Sequence, residues 1–79
     1  MRQKTLKVVL TFATSSDAMA VEAAGRAQNF PGRMIPVPSE VSAGCGLAWC
    51  VPNAQREELL RALDGEGLHF EALHLVELY

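Results

Sequence analysis

The sequence predicts an α+β fold in which a four-stranded antiparallel sheet carries two helices on one face. Three observations point there: period-two apolar patterning at Leu6 to Phe12 and again at Leu47 to Val51, a hydroxyl-capped, alanine-rich stretch from Thr14 to Asn29, and a second amphipathic stretch after Asn53. At 79 residues the chain is one domain, because a chain this short buries only about 60% of the surface its unfolded form exposes.

The first strand puts Leu6, Val8, Leu10 and Phe12 on one face and Lys7 and Thr11 on the other, with Val9 as the apolar exception. Thr14 then supplies a hydroxyl N-cap, and Asp17 sits at the third helical position, where a carboxylate suits the helix dipole. Alanines carry the helix to Asn29; Gly25 weakens it by up to about 1 kcal/mol relative to alanine, but small side chains let a helix lie close to a sheet. Pro31 and Gly32 turn the chain into a short strand, Arg33 to Val37, which Pro36 confines to an edge. Pro38 to Gly46 has no usable period and reads as a loop, long for so small a domain. The third strand, Leu47 to Val51, faces its bulky odd positions inward and ends at Pro52. Asn53 is the expected N-cap of the second helix, whose apolar stripe is Leu59, Leu60 and Leu63 and which ends at Asp64 and Gly65. About Ala72 to Leu78 forms a last strand of ambiguous parity.

The resulting βαββαβ order predicts a ferredoxin-like sandwich with strand order 4-1-3-2 and both helices on one face. The expected core is Leu6, Val8, Leu10, Phe12, Leu47, Trp49, Val51, Leu59, Leu60 and Leu63. Lys7, Val9, Thr11, Ala48 and Cys50 are left on an open sheet face, and a face of that character would close a homodimer.

Composition narrows the function. Hydrophobic residues make up 49% of the chain and charged residues 20%, so low-hydrophobicity disorder is not expected. Seven Lys and Arg against nine Asp and Glu give a net charge of -2, without the positive excess that phosphate neutralisation needs, and nucleic acid is not an expected partner. No apolar run approaches the roughly 20 residues that cross a bilayer, and the apolar stretch behind Arg2 and Lys4 breaks at Lys7, a poor secretory signal. A cytoplasmic location without membrane contact is therefore expected. Two cysteines are too few for a disulfide framework. With His69 and His74 they give C-x4-C and H-x4-H, within zinc-like ranges, but Cys50 falls inside a strand rather than on a knuckle, so neither a metal nor another cofactor is expected.

In the predicted topology, strands one and two run one way and strands three and four run back. The loop before strand three then meets the end where the first helix begins. Cys45 in that loop becomes a neighbour of the free N-H groups at Thr14, Ser15 and Ser16, where a thiolate is stabilised, while Asp17 and Glu40 oppose the effect. Gly44 and Gly46 would expose the thiol. His69, in the connection to the last strand, is expected at the same end, either as a partner for Cys45 or as a solvated loop histidine. Cys50, opposite Trp49 in facing, is an auxiliary thiol or small packing, and bridging it to Cys45 would require a bent loop.

The run Arg33-Met34-Ile35-Pro36-Val37-Pro38-Ser39-Glu40-Val41-Ser42-Ala43-Gly44-Cys45-Gly46-Leu47-Ala48 resembles the selenium/sulfur carrier-like family of small bacterial proteins, in which an R-x-I-P-x-P segment, an acidic residue and a serine-rich stretch precede C-G-L-A. Thr11-Phe12 with Ser15, Asp17 and Ala18 is similar to that family's first strand and helix start. The resemblance implies that Cys45 carries sulfur or selenium between donor and acceptor proteins, with Gly46 as the flexible residue beside it. The residues alone leave open a binding module, in which the loop and sheet edge hold a small ligand or a protein and Cys45 is structural, and also a purely structural dimerising domain. No Ser/His/Asp or paired-carboxylate constellation argues for an enzyme.

Overall fold

A computed structural model of the chain describes residues 4–41 and 46–78. Strand β1 (Thr5–Thr11) leads into helix α1 (Ser15–Gln28), strand β2 (Arg33–Pro36) and strand β3 (Leu47–Pro52); a single 3-10 turn (Asn53–Gln55) then precedes helix α2 (Arg56–Gly65) and strand β4 (Ala72–Leu78). The four strands form one sheet in the order β2-β3-β1-β4, which counted from the opposite edge runs 4-1-3-2. Every neighbouring pair is antiparallel, with Val8 opposite Val51 and Leu75, and Met34 opposite Trp49.

The period-two pattern of β1 sorts the side chains onto two faces. Val8, Leu10 and Phe12 join Trp49 and Val51 of β3 beneath Ala18 and Val21 of α1 and Leu59 and Leu63 of α2, so both helices share one apolar layer. Register settles the ambiguous parity of β4: Leu73 lies opposite Leu10 and packs into the helix-side core, whereas Val76 lies opposite Lys7 on the other face. Leu6, expected in the core, is 44% exposed, because it lies opposite Glu77 near the start of its strand, beyond the buried helix residues. Leu60 and Leu47 are half-buried at the rim of that core.

Local chemistry fixes both ends of α1. Thr14 Oγ1 accepts the Asp17 amide at 3.1 Å, the cap that the sequence predicts. At the other end Asn29 takes a left-handed conformation (φ 59°), and the amide of Phe30 donates to the Gly25 carbonyl at 3.0 Å, which turns the Phe30 ring into the core. Asn53 does not cap α2. The chain leaves Pro52 in the 3-10 turn, the helix begins three residues after the expected cap, and Asn53 Oδ1 is buried without a hydrogen-bond partner among the described residues.

The second sheet face is not open as expected. Val9 and Ala48 are fully buried there together with Val76 and Val41, flanked by Ile35, Val37 and Leu78. The cause is the turn after β2, where the Val41 amide donates to the Pro38 carbonyl at 3.0 Å and the chain folds back over the sheet. A lone valine in a stretch without a period gives no sequence signal for this. The apolar patch that motivated a homodimer is thereby largely covered by the chain itself.

Trp49 joins α1 to the sheet. Its Nε1-H donates to the Pro31 carbonyl at 2.9 Å, and a Cβ added at Gly25 would stand 2.8 Å from its Cη2. Gly25 therefore serves close packing, and alanine there faces two opposed effects: a helix gain of up to about 1 kcal/mol against overpacking of about 1–3 kcal/mol. We expect Gly25→Ala to lower stability by about 1–2 kcal/mol. Urea unfolding followed by Trp49 fluorescence measures it, and an unchanged or raised midpoint would contradict the packing argument.

Candidate functional site

The end of β1 is where the expected site elements converge. Thr11 lies opposite Ala48 in β3 and Ala72 in β4, so the start of both returning strands is level with the chain as it enters α1. Glu71 of the α2–β4 connection donates its amide to the Thr11 carbonyl at 2.6 Å, which ties His69 and its exposed imidazole to the same end. Thr14, Ser15 and Ser16 are exposed at the positive end of the α1 dipole. The Asp17 amide is taken by Thr14 Oγ1 and the Ala18 amide by the Thr14 carbonyl at 3.3 Å. The amides of Ser15 and Ser16 remain without a partner among the described residues.

Gly46 stands at this end as the last step before β3. The Val37 amide donates to its carbonyl at 3.1 Å, extending the β2–β3 pairing one step past Pro36 opposite Leu47 and closing the neck of the loop. Gly46 has φ +79°, a left-handed conformation that favours glycine, and among the described residues a Cβ there would meet nothing within 4 Å. The backbone angle is enough to favour glycine. Val41 is the loop's second anchor, buried against Val9, Ala48 and Val76. Cys45 and Gly44 lie outside the described residues; of the other expected residues, Thr14, Ser15, Ser16, Gly46 and His69 lie toward the same end of the sheet. Neck and anchor escaped sequence reasoning; the only legible hint was the position of Val37 one step past Pro36.

Cys50 is three residues along β3 from Leu47, toward the other end of the sheet. It is buried and a free thiol, opposite Val9 on one side and Arg33 on the other. Burial pushes its pKa up, and the nearby charges of Lys7 and Arg33 pull against that without overcoming it. The thiol is thus neutral at pH 7 and a poor nucleophile, which does not suit it to resolving chemistry. Among the described residues no three His, Cys, Asp or Glu side chains gather around a point that could hold a metal, and no helix is long and apolar enough to cross a membrane.

Three measurements check this site. Thr14→Ala removes the α1 cap and should cost about 1 kcal/mol in unfolding free energy. In a Cys45→Ser variant, Cys50 should alkylate slowly at neutral pH and speed up only above the ordinary thiol range of about 8.5. The same raised pKa makes a stability statement. Below the unfolded thiol's pKa both states hold the proton and the contribution is complete; above it the unfolded state loses the proton first, and stability falls as pH rises through the folded value. Urea midpoints taken across the alkaline range should therefore fall more steeply for the wild-type chain than for Cys50→Ala, and parallel curves would remove the argument.

A family model described as "Putative Se/S carrier protein-like" matches residues 7–75. No curated protein and no solved structure matches the chain. The matched span contains both helices, the first three strands whole but for the start of β1, and the loop that carries Cys45. With residues 7–75 of 79 covered, the chain belongs to the Se/S carrier-like family.

Proposed function

We propose that this protein carries sulfur or selenium on Cys45, receiving it from one protein and yielding it to another in the cytoplasm, without catalysing a reaction of its own. The observation that carries this reading is the family match across the Cys45 loop, supported by the strand ends and the α1 N-terminus that flank Gly46. We read the fold as ferredoxin-like, in keeping with the βαββαβ order and the antiparallel pairing of all neighbours.

The chemistry needs an exposed thiol of lowered pKa. The Cys45 thiolate attacks the outer sulfur of a donor persulfide, a new S-S bond forms, and the donor's inner sulfur leaves as thiolate. Cys45 then bears the outer sulfur as a persulfide. Attack on that outer sulfur by an acceptor nucleophile returns the Cys45 thiolate, and no external oxidant or reductant enters. Gly46, one peptide bond away, holds the neck through the Val37 hydrogen bond, and the unpartnered amides of Ser15 and Ser16 with the α1 dipole are groups that favour a nearby negative charge.

A second reading is favoured by one observation. A groove of about 590 Å³ runs between the loop and the outer strand, lined by Lys4, Glu40, Val41 and Leu73 to Glu77. It suits a binding module that holds a ligand or a protein segment, with Cys45 structural.

Intact mass after incubation with a cysteine desulfurase and cysteine separates the two. The carrier reading expects a gain of one sulfur, removed by reductant, retained in Cys50→Ser and lost in Cys45→Ser. No gain, or a gain that persists in Cys45→Ser, leaves the binding module standing.

A further inference from the structure

The helix-free face of the sheet holds a second cavity, of about 340 Å³, at the end remote from Gly46. Its lining is Lys7, Arg33, Gln55 and Cys50 with the apolar surfaces of Ile35 and Leu78, closed by Gly32 and Pro52. The chain as a whole is acidic, with nine carboxylate residues against seven Lys and Arg. This cavity nevertheless gathers two cations and no carboxylate among its described lining residues.

Register explains the convergence. Arg33 lies directly opposite Cys50 across β2 and β3, and Lys7 lies opposite Pro52 across β1 and β3, two residues along on the same face. Cys50 is thus bracketed by a guanidinium from one neighbouring strand and an ammonium from the other, both close enough that their charges act on its thiol. Among the described residues neither cation has a salt-bridge partner: the ion pairs join Arg26 to Glu22 and Arg61 to Glu57. Lys7 is moreover half-buried. A partly desolvated cation without a counter-charge is an unfavourable arrangement that a bound anion would relieve.

The geometry points to a binding site for a small organic anion, its oxyanion head held between Lys7 and Arg33 and a short apolar body lying against Ile35 and Leu78. The arginine fork suits a carboxylate or a phosphate-type head in two parallel hydrogen bonds, and the lysine supplies a point charge from the other side. Gln55 adds a neutral polar group at the rim. Cys50 forms the floor as a neutral thiol, offering a small polarisable surface and a weak S-H donor, so no covalent step is required. The volume is at the low end of small-molecule sites, which run from about 300 to 1,000 Å³, and it sets the size of the ligand at a few heavy atoms beyond the head. This site is independent of the carrier reading, because it uses neither Cys45 nor its loop.

The test is a two-dimensional amide NMR titration of the full chain with hexanoate, alongside 1-hexanol as a body without charge and inorganic phosphate as a head without a body. Hexanoate should shift the amides of Lys7, Arg33, Cys50 and Gln55 saturably, with a dissociation constant on the order of 1 mM. Lys7→Gln and Arg33→Gln should each weaken it about tenfold, and hexanol should bind more weakly still. Both substitutions lie toward the surface, and an otherwise unchanged spectrum verifies the fold; Lys7→Met retains the stem's packing if Lys7→Gln perturbs it. Absence of a saturable shift, equal binding by hexanol, equal binding by phosphate, or affinities indifferent to both substitutions would each overturn the proposal.

Discussion

The indole of Trp49 occupies the space that Gly25 leaves in α1, and its Nε1-H meets the Pro31 carbonyl, so the helix, the turn that leaves it and the edge strand beyond are fixed against one ring. Met34 of β2 is paired opposite the same residue. Gly32 completes the arrangement, at φ +96°, where a Cβ would strike the Cys50 carbonyl oxygen and stand 2.6 Å from the indole nitrogen. A close approach of helix to sheet thus sets where β2 begins. Since β2 is only four residues long, that in turn sets where the Cys45 loop leaves the sheet.

The loop is built on two separate holds of different chemistry. One is the main-chain hydrogen bond between Val37 and Gly46, which continues the ladder past Pro36. The other is apolar, the burial of Val41 over Val9, Ala48 and Val76. Both holds lie on described residues to either side of Cys45, one on Val41 and one on Gly46. The same valine gives the sheet a second small core, so the two faces of a short domain are both used: one under helices, the other under the chain's own loop.

Much of this was legible in the sequence because local chemistry decided it. Period two in β1 and β3 named the helix-side core, a threonine three residues before Asp17 named the α1 cap, and the small residues of α1 announced close packing. What escaped was what depends on chain folded back from a distance, together with one local turn. Leu6 obeys the right parity yet lies beyond the buried helix residues. Asn53 is a good cap in isolation, but the chain leaving Pro52 makes a 3-10 turn first. Val41 sits in a stretch with no period at all. The pairing of Lys7 and Arg33 about Cys50 needs two registers at once, which no pattern within one segment contains. For the thiol itself, the sequence and the family match bear on function, while the structure bears on what surrounds its neighbour Gly46.

The positive φ of Gly46 changes what the cysteine-glycine pair means. Among the described residues nothing crowds the position, so the backbone angle is enough to account for a glycine there. Asparagine and aspartate tolerate the same left-handed angle better than other side chains, so the neck could be rebuilt with either at modest cost. A polar group of chosen charge would then stand one residue from Cys45 in the sequence, while the carbonyl of residue 46 would still accept the Val37 amide.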